Sequence, residues 1–88
     1  MVGLRQAVTL EAMLGRQRTH RIAMARAMAM WVAREKGYST TRIGIEFGDR
    51  HHTTVMGATR MINRRIEADP AFGARMARFR NAAPGAAP

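Results

Sequence analysis

A chain of 88 residues with fifteen Lys and Arg against six Asp and Glu, a formal charge of +9 and a pI near 11.9 reads as one small domain whose surface attracts polyanions. That length excludes a nucleotide-driven motor or a two-lobed enzyme, the lack of cysteine excludes disulfides and thiolate metal sites, and no apolar run approaches a membrane span. No secretory leader is expected, so a cytoplasmic, nucleoid-associated location follows. Fourteen of the fifteen cations are Arg, whose forked guanidinium suits paired contacts with phosphate and guanine.

The first predicted element is a short helix from Thr9 to about Gly15, capped by Thr9, with Leu10, Met13 and Leu14 facing inward. Gly15 to Arg21 reads Gly-Arg-Gln-Arg-Thr-His-Arg, which has no apolar anchor and predicts a basic loop. Thr19 then caps a long helix, Arg21 to Lys36, rich in Ala and Met and ended by Gly37. Ile22, Ala25, Met28, Ala29 and Val32 repeat there at helical spacing, Met24, Trp31 and Ala33 widen the apolar arc, and Arg26 and Arg34 stay outside it.

Ser39 caps a short helix, Thr40 to Phe47, in which Ile43 and Phe47 share a face, and Gly48 can take the left-handed conformation that ends it. After Gly48-Asp49 a longer helix runs to about Ala68 with the apolar stripe Val55, Ala58, Ile62 and Ile66. Asp69 caps the last helix, Pro70 takes its first position, and Phe72, Met76 and Phe79 line one face. The reading is all-α: a small helical bundle containing a helix-turn-helix, one domain over 1–80, with 81–88, made largely of Ala, Gly and Pro, as a disordered tail.

Between the stripes of the two central helices stand Arg50, His51, His52, Thr53 and Thr54, short or planar donors and acceptors offered by the first turn of a helix. In a helix-turn-helix that turn meets base edges in the major groove. The blander reading is that the cluster merely caps the helix, and the apolar helix and glycine turn ahead of it favour base reading. Metal binding is not expected, because adjacent histidines on a helix point about 100° apart and no third ligand stands at useful spacing. Arg16, Arg18, His20 and Arg21 could equally be a solvated charge run, and Arg64, Arg65, Arg75, Arg78 and Arg80 read as solvated faces. The six acids are scattered among arginines and no glycine-rich phosphate cradle occurs, so neither an enzyme nor a cofactor is expected.

Three motifs in order, Arg26-Ala-Met-Ala-Met-Trp-Val-Ala-Arg-Glu35, Ile43-Gly-Ile-Glu-Phe-Gly48 and Arg50-His-His-Thr-Thr-Val55, together resemble the C-terminal DNA-binding domain of the bacterial replication initiator DnaA. The resemblance covers about Thr9 to Phe79. It implies double-stranded DNA as partner, with Arg18 of the basic loop in the minor groove and Arg26 and Arg34 on phosphates. It also implies Thr40 and Thr41 on thymine methyls and backbone, Arg50 on the backbone, and His51, His52, Thr53 and Thr54 at bases. The function implied is sequence-specific binding at initiator-type boxes or related sites, regulating replication initiation or transcription without an ATPase of its own. Family members usually read Gly-Gly-Arg-Asp-His-Thr-Thr where this chain reads Gly-Asp-Arg-His-His-Thr-Thr, so Asp49 and His51 depart from the pattern. An aspartate at the position of His51 would accept from a cytosine amino group, whereas a histidine can donate as well. The alternative is an initiator-like interaction module that binds a replication or regulatory protein without recognising a box.

Overall fold

The computed structural model describes the backbone of residues 2–83 and the side chains of residues 19–83. Its elements are α1 (Val2–Glu35), α2 (Thr40–Glu46), α3 (His52–Ala68) and α4 (Pro70–Ala82), with no strand among the described residues. The helix-turn-helix is α2 and α3, laid across the C-terminal half of α1, and α4 returns beneath α1 and α3.

The first half of the chain differs from the sequence expectation. Residues 15–21 are not a loop, and Thr9 and Thr19 begin no helix, because α1 is continuous through both positions. Arg and Gln are good helix formers, and a single Gly costs only about 1 kcal/mol in a helix interior, too little to end one without a proline or a cap. The side chains of Leu10, Met13, Leu14, Arg16 and Arg18 lie outside the described residues. Thr19, His20 and Arg21 are exposed.

The buried face of α1 is also rotated from the expected one. Among its described side chains Ala27, Met30 and Trp31 are buried, whereas Ile22 is 52% exposed and Ala25 and Ala29 face solvent. A helix apolar over most of its circumference carries no sequence signal for direction. Trp31 and Ala27 pack with Ile62, Phe72 and Met76, while Met30 joins Ile43 and Val55 in a second cluster, and Ala58 touches both. The Trp31 indole N–H donates to Asn63 Oδ1 at 2.8 Å, tying α1 to α3 by a polar bond beside the apolar one.

The later boundaries follow their capping residues. Gly37, at φ 102, closes α1 with N–H bonds from Gly37 to Arg34 O and from Tyr38 to Ala33 O. Ser39 accepts from the Arg42 N–H, and Asp69 accepts from the N–H groups of Ala71 and Phe72 with Pro70 opening α4. Phe72 and Met76 are buried as expected, but Phe79 is 45% exposed and reaches only the rim. Helix α4 also continues through Ala82, two residues into the stretch read as a disordered tail, and residues 84–88 lie outside the described residues.

The turn between α2 and α3 is built backbone against backbone. Gly44 is buried, its carbonyl accepts the Arg50 N–H at 2.8 Å, and a β-carbon on Gly44 would collide with the Arg50 carbonyl oxygen. Gly48 at φ 93 and Asp49 at φ 54 then reverse the chain, so a non-glycine residue holds a left-handed position that favours glycine. Two stability outcomes follow, both read by chemical denaturation. Gly44→Ala is expected to destabilise by about 1–3 kcal/mol, because backbone cannot yield as a side chain can. Asp49→Gly is expected to stabilise by up to about 1 kcal/mol, since it removes the left-handed penalty against a smaller gain in unfolded-state entropy. An unchanged midpoint for Gly44→Ala would show that the turn is not held by this close approach.

Candidate nucleic-acid interface

The start of α3 is an exposed polar tip. His51 is the N-cap, with φ −65 and ψ 148, and its side chain replaces the usual Ser, Thr, Asp or Asn. The Thr53 N–H reaches His51 Nδ1 at 3.2 Å, and Thr53 Oγ1 lies 2.7 Å from the same nitrogen. A backbone N–H can only donate, so Nδ1 accepts and the neutral ring carries its hydrogen on Nε2. The His52 ring stacks on it, centroids 4.2 Å apart and tilted by 34°. Two imidazoles and two threonines thus form one exposed platform, all four residues facing solvent.

Arg50 sits in the turn below the tip. Its Nε donates to the Phe47 carbonyl at 3.0 Å, which fixes the side chain against the end of α2 and leaves its terminal amino groups outward. Thr41 is exposed in the first turn of α2 and Thr40 is half-buried beside it. Arg34, near the end of α1, donates through Nη1 to the Tyr38 carbonyl at 3.1 Å and is exposed.

Of the residues singled out from sequence, His51, His52, Thr53 and Thr54 form the tip with Arg50 in the turn below it, and Arg34 and Thr40 meet in a neighbouring groove. Arg26 stands apart, half-buried and eight residues before Arg34, about 12 Å along α1. The side chain of Arg18 lies outside the described residues. Sequence reading missed Met56, Thr59, Arg60 and Asn63, which complete the groove around Arg34 and Thr40. The signal available was the seven-residue spacing from Thr53 to Arg60, two helical turns along one exposed face.

Among the described residues no group of three His, Cys, Asp or Glu is placed to hold a metal ion, and no helix is long and apolar enough to cross a membrane. No solved structure matches the chain. The family model for the bacterial DnaA protein helix-turn-helix matches residues 1–62, which spans α1, α2 and α3 as far as the buried Ile62. With its motifs, its turn and this match in agreement, the chain belongs to the bacterial DnaA helix-turn-helix family, whose activity is DNA binding in replication initiation.

Proposed function

We propose that this chain binds duplex DNA sequence-specifically, at initiator-type boxes or related sites, and so regulates replication initiation or transcription, with no nucleotide-hydrolysing machinery in these 88 residues. The observation that carries the reading is the tip: four exposed polar residues at the cap and first turn of a helix whose frame is fixed by backbone contacts. Labour is divided. His51, His52, Thr53 and Thr54 meet base edges, Thr40 and Thr41 meet backbone and thymine methyls, and Arg18, Arg26, Arg34 and Arg50 meet the phosphate rails or the minor groove.

The cap sets which bases His51 prefers. Because Nδ1 is occupied by the Thr53 N–H, the distal Nε2–H is the group left for DNA, and it is a donor. A donor suits guanine O6 or N7, adenine N7 or thymine O4, and it does not suit the cytosine amino group that an aspartate would accept from. His51 therefore directs this chain toward an acceptor edge at that base step.

The second reading, a module that binds a replication or regulatory protein, draws on a different observation. An open apolar groove of about 480 Å³ runs between α1 and α4, lined by Ala25, Met28, Ala29, Val32 and Phe79 among others. Anisotropy titrations of labelled duplexes with and without an initiator box, at two salt concentrations, separate the readings. The base-reading proposal expects discrimination that persists at the higher salt; equal, salt-sensitive binding of both duplexes points to charge alone, and no binding points to the protein module.

Substitutions refine the test. Thr54→Ala or His52→Ala is expected to cost about 1–3 kcal/mol at one base step, whereas Arg34→Gln should weaken all duplexes alike and flatten the salt slope by about 1. His51→Asp should keep the cap, since aspartate is a good N-cap, and move the preferred base at its step toward cytosine in a selection from random duplexes. An unchanged selected base would remove His51 from the reading set.

A further inference from the structure

We infer that the groove between α1, α2 and α3 seats a phosphodiester of the DNA backbone, with Arg60 and Asn63 as donors beyond the set the sequence suggested. The groove is about 450 Å³ and is lined by Arg34, Thr40, Met56, Thr59, Arg60 and Asn63. No carboxylate is among them. The chemistry it offers is one-sided, and the one-sidedness is built by specific bonds.

Asn63 is the decisive case. The Trp31 indole N–H can only donate, so it claims the amide oxygen at 2.8 Å and fixes which way the amide faces. With the oxygen turned to the indole, the NH2, which can only donate, is the end of the amide directed away from Trp31, on a residue that is exposed. The Thr59 hydroxyl is turned inward to the Met56 carbonyl at 3.0 Å. Arg34 uses one nitrogen on Tyr38 and keeps the rest of its fork. Arg60 is exposed and, among the described residues, makes no hydrogen bond or ion pair. Two guanidinium groups, an amide NH2 and the Thr40 hydroxyl thus surround one opening, a set that fits a negative, acceptor-rich group of the phosphate kind.

Its place relative to the tip selects the backbone as the source of that phosphate. Arg60 follows Thr53 by two turns on the same face, about 10 Å along α3. With the tip among the bases, that distance brings the groove to the wall of a major groove about 12 Å wide, where the phosphates stand. This inference rests on the duplex-binding reading above, and base choice by the tip does not depend on it.

The test uses the whole chain, duplexes with and without an initiator box, and the variants Arg60→Gln and Asn63→Asp. Asn63→Asp keeps an acceptor for the Trp31 indole while turning the outward donor into a repelling oxygen, and unshifted methyl resonances of Val55 and Ile43, in the cluster away from Trp31, show the fold intact. Each variant is expected to lower affinity for both duplexes by about tenfold. The ratio between duplexes should stay unchanged, and Arg60→Gln should reduce the salt slope by about 1. The Asn63 side-chain amide resonances of the unsubstituted protein should move as duplex is added. Wild-type affinity in both variants, an unmoved Asn63 amide at saturating duplex, or a changed preference at unchanged affinity overturns the inference. Should the unsubstituted protein bind no duplex, the base-reading proposal fails separately and so does the DNA assignment of the groove. Inorganic phosphate then decides between a seat for free phosphate, shown by an Asn63 amide shift that Arg60→Gln abolishes, and no anion seat at all.

Discussion

The whole helix-turn-helix end depends on the missing side chain at Gly44. Because no β-carbon intervenes, the Arg50 backbone comes down on α2 and its N–H closes onto the Gly44 carbonyl. Two left-handed residues, Gly48 and Asp49, complete the reversal, and the Arg50 Nε bond to Phe47 locks the turn from outside. The direction of α3 relative to α2 is thereby set by covalent geometry and backbone hydrogen bonds. A tip presented on such a frame is pre-organised, and on the base-reading proposal it loses little conformational freedom on docking.

Helix α3 is the shared wall of both apolar clusters. Val55 enters the cluster of Met30 and Ile43, Ile62 enters that of Trp31, Phe72 and Met76, and Ala58 between them touches both. The recognition helix is thus anchored along its length on one side while its other side carries Thr53, Met56, Arg60 and Arg64 to solvent. Its charge is not neutralised from within. The ion pairs among the described residues, Arg42 with Glu46 and Arg80 with Glu35, are both exposed and contribute little. An excess of nine positive charges on so small a body repels itself, and a polyanion that relieves the repulsion stabilises the folded chain as it binds.

What could be read in the sequence was whatever a single segment decides for itself. The caps at Ser39 and Asp69, the turn glycine at 48 and the stripe Val55, Ala58, Ile62 and Ile66 are local features, and the helices begin, end and face as those residues dictate. The continuity of α1 was hidden because a polar, apolar-free stretch is compatible with either a loop or an exposed helix. Its rotation was hidden because Ile22 and Ala25 look as apolar as Ala27 and Met30 until partners choose. The groove at Arg60 was out of reach for a stronger reason. Its walls come from three helices, and the amide of Asn63 is oriented by a tryptophan 32 residues away.

His51 meets the structural demand of the N-cap with a side chain whose far edge differs from that of the usual capping residues. The N-cap needs one acceptor within short reach of the Thr53 N–H, and imidazole Nδ1 supplies it as a carboxylate oxygen would. The two residues differ at the far edge, where a carboxylate accepts and an imidazole so engaged donates. Because the capping acceptor and the solvent-facing group fall on opposite edges of the same side chain, an exchange between histidine and aspartate here leaves the turn, the clusters and the direction of α3 in place. On the base-reading proposal, the sign of the hydrogen bond offered to DNA is then free to vary, and with it the base preferred at one step.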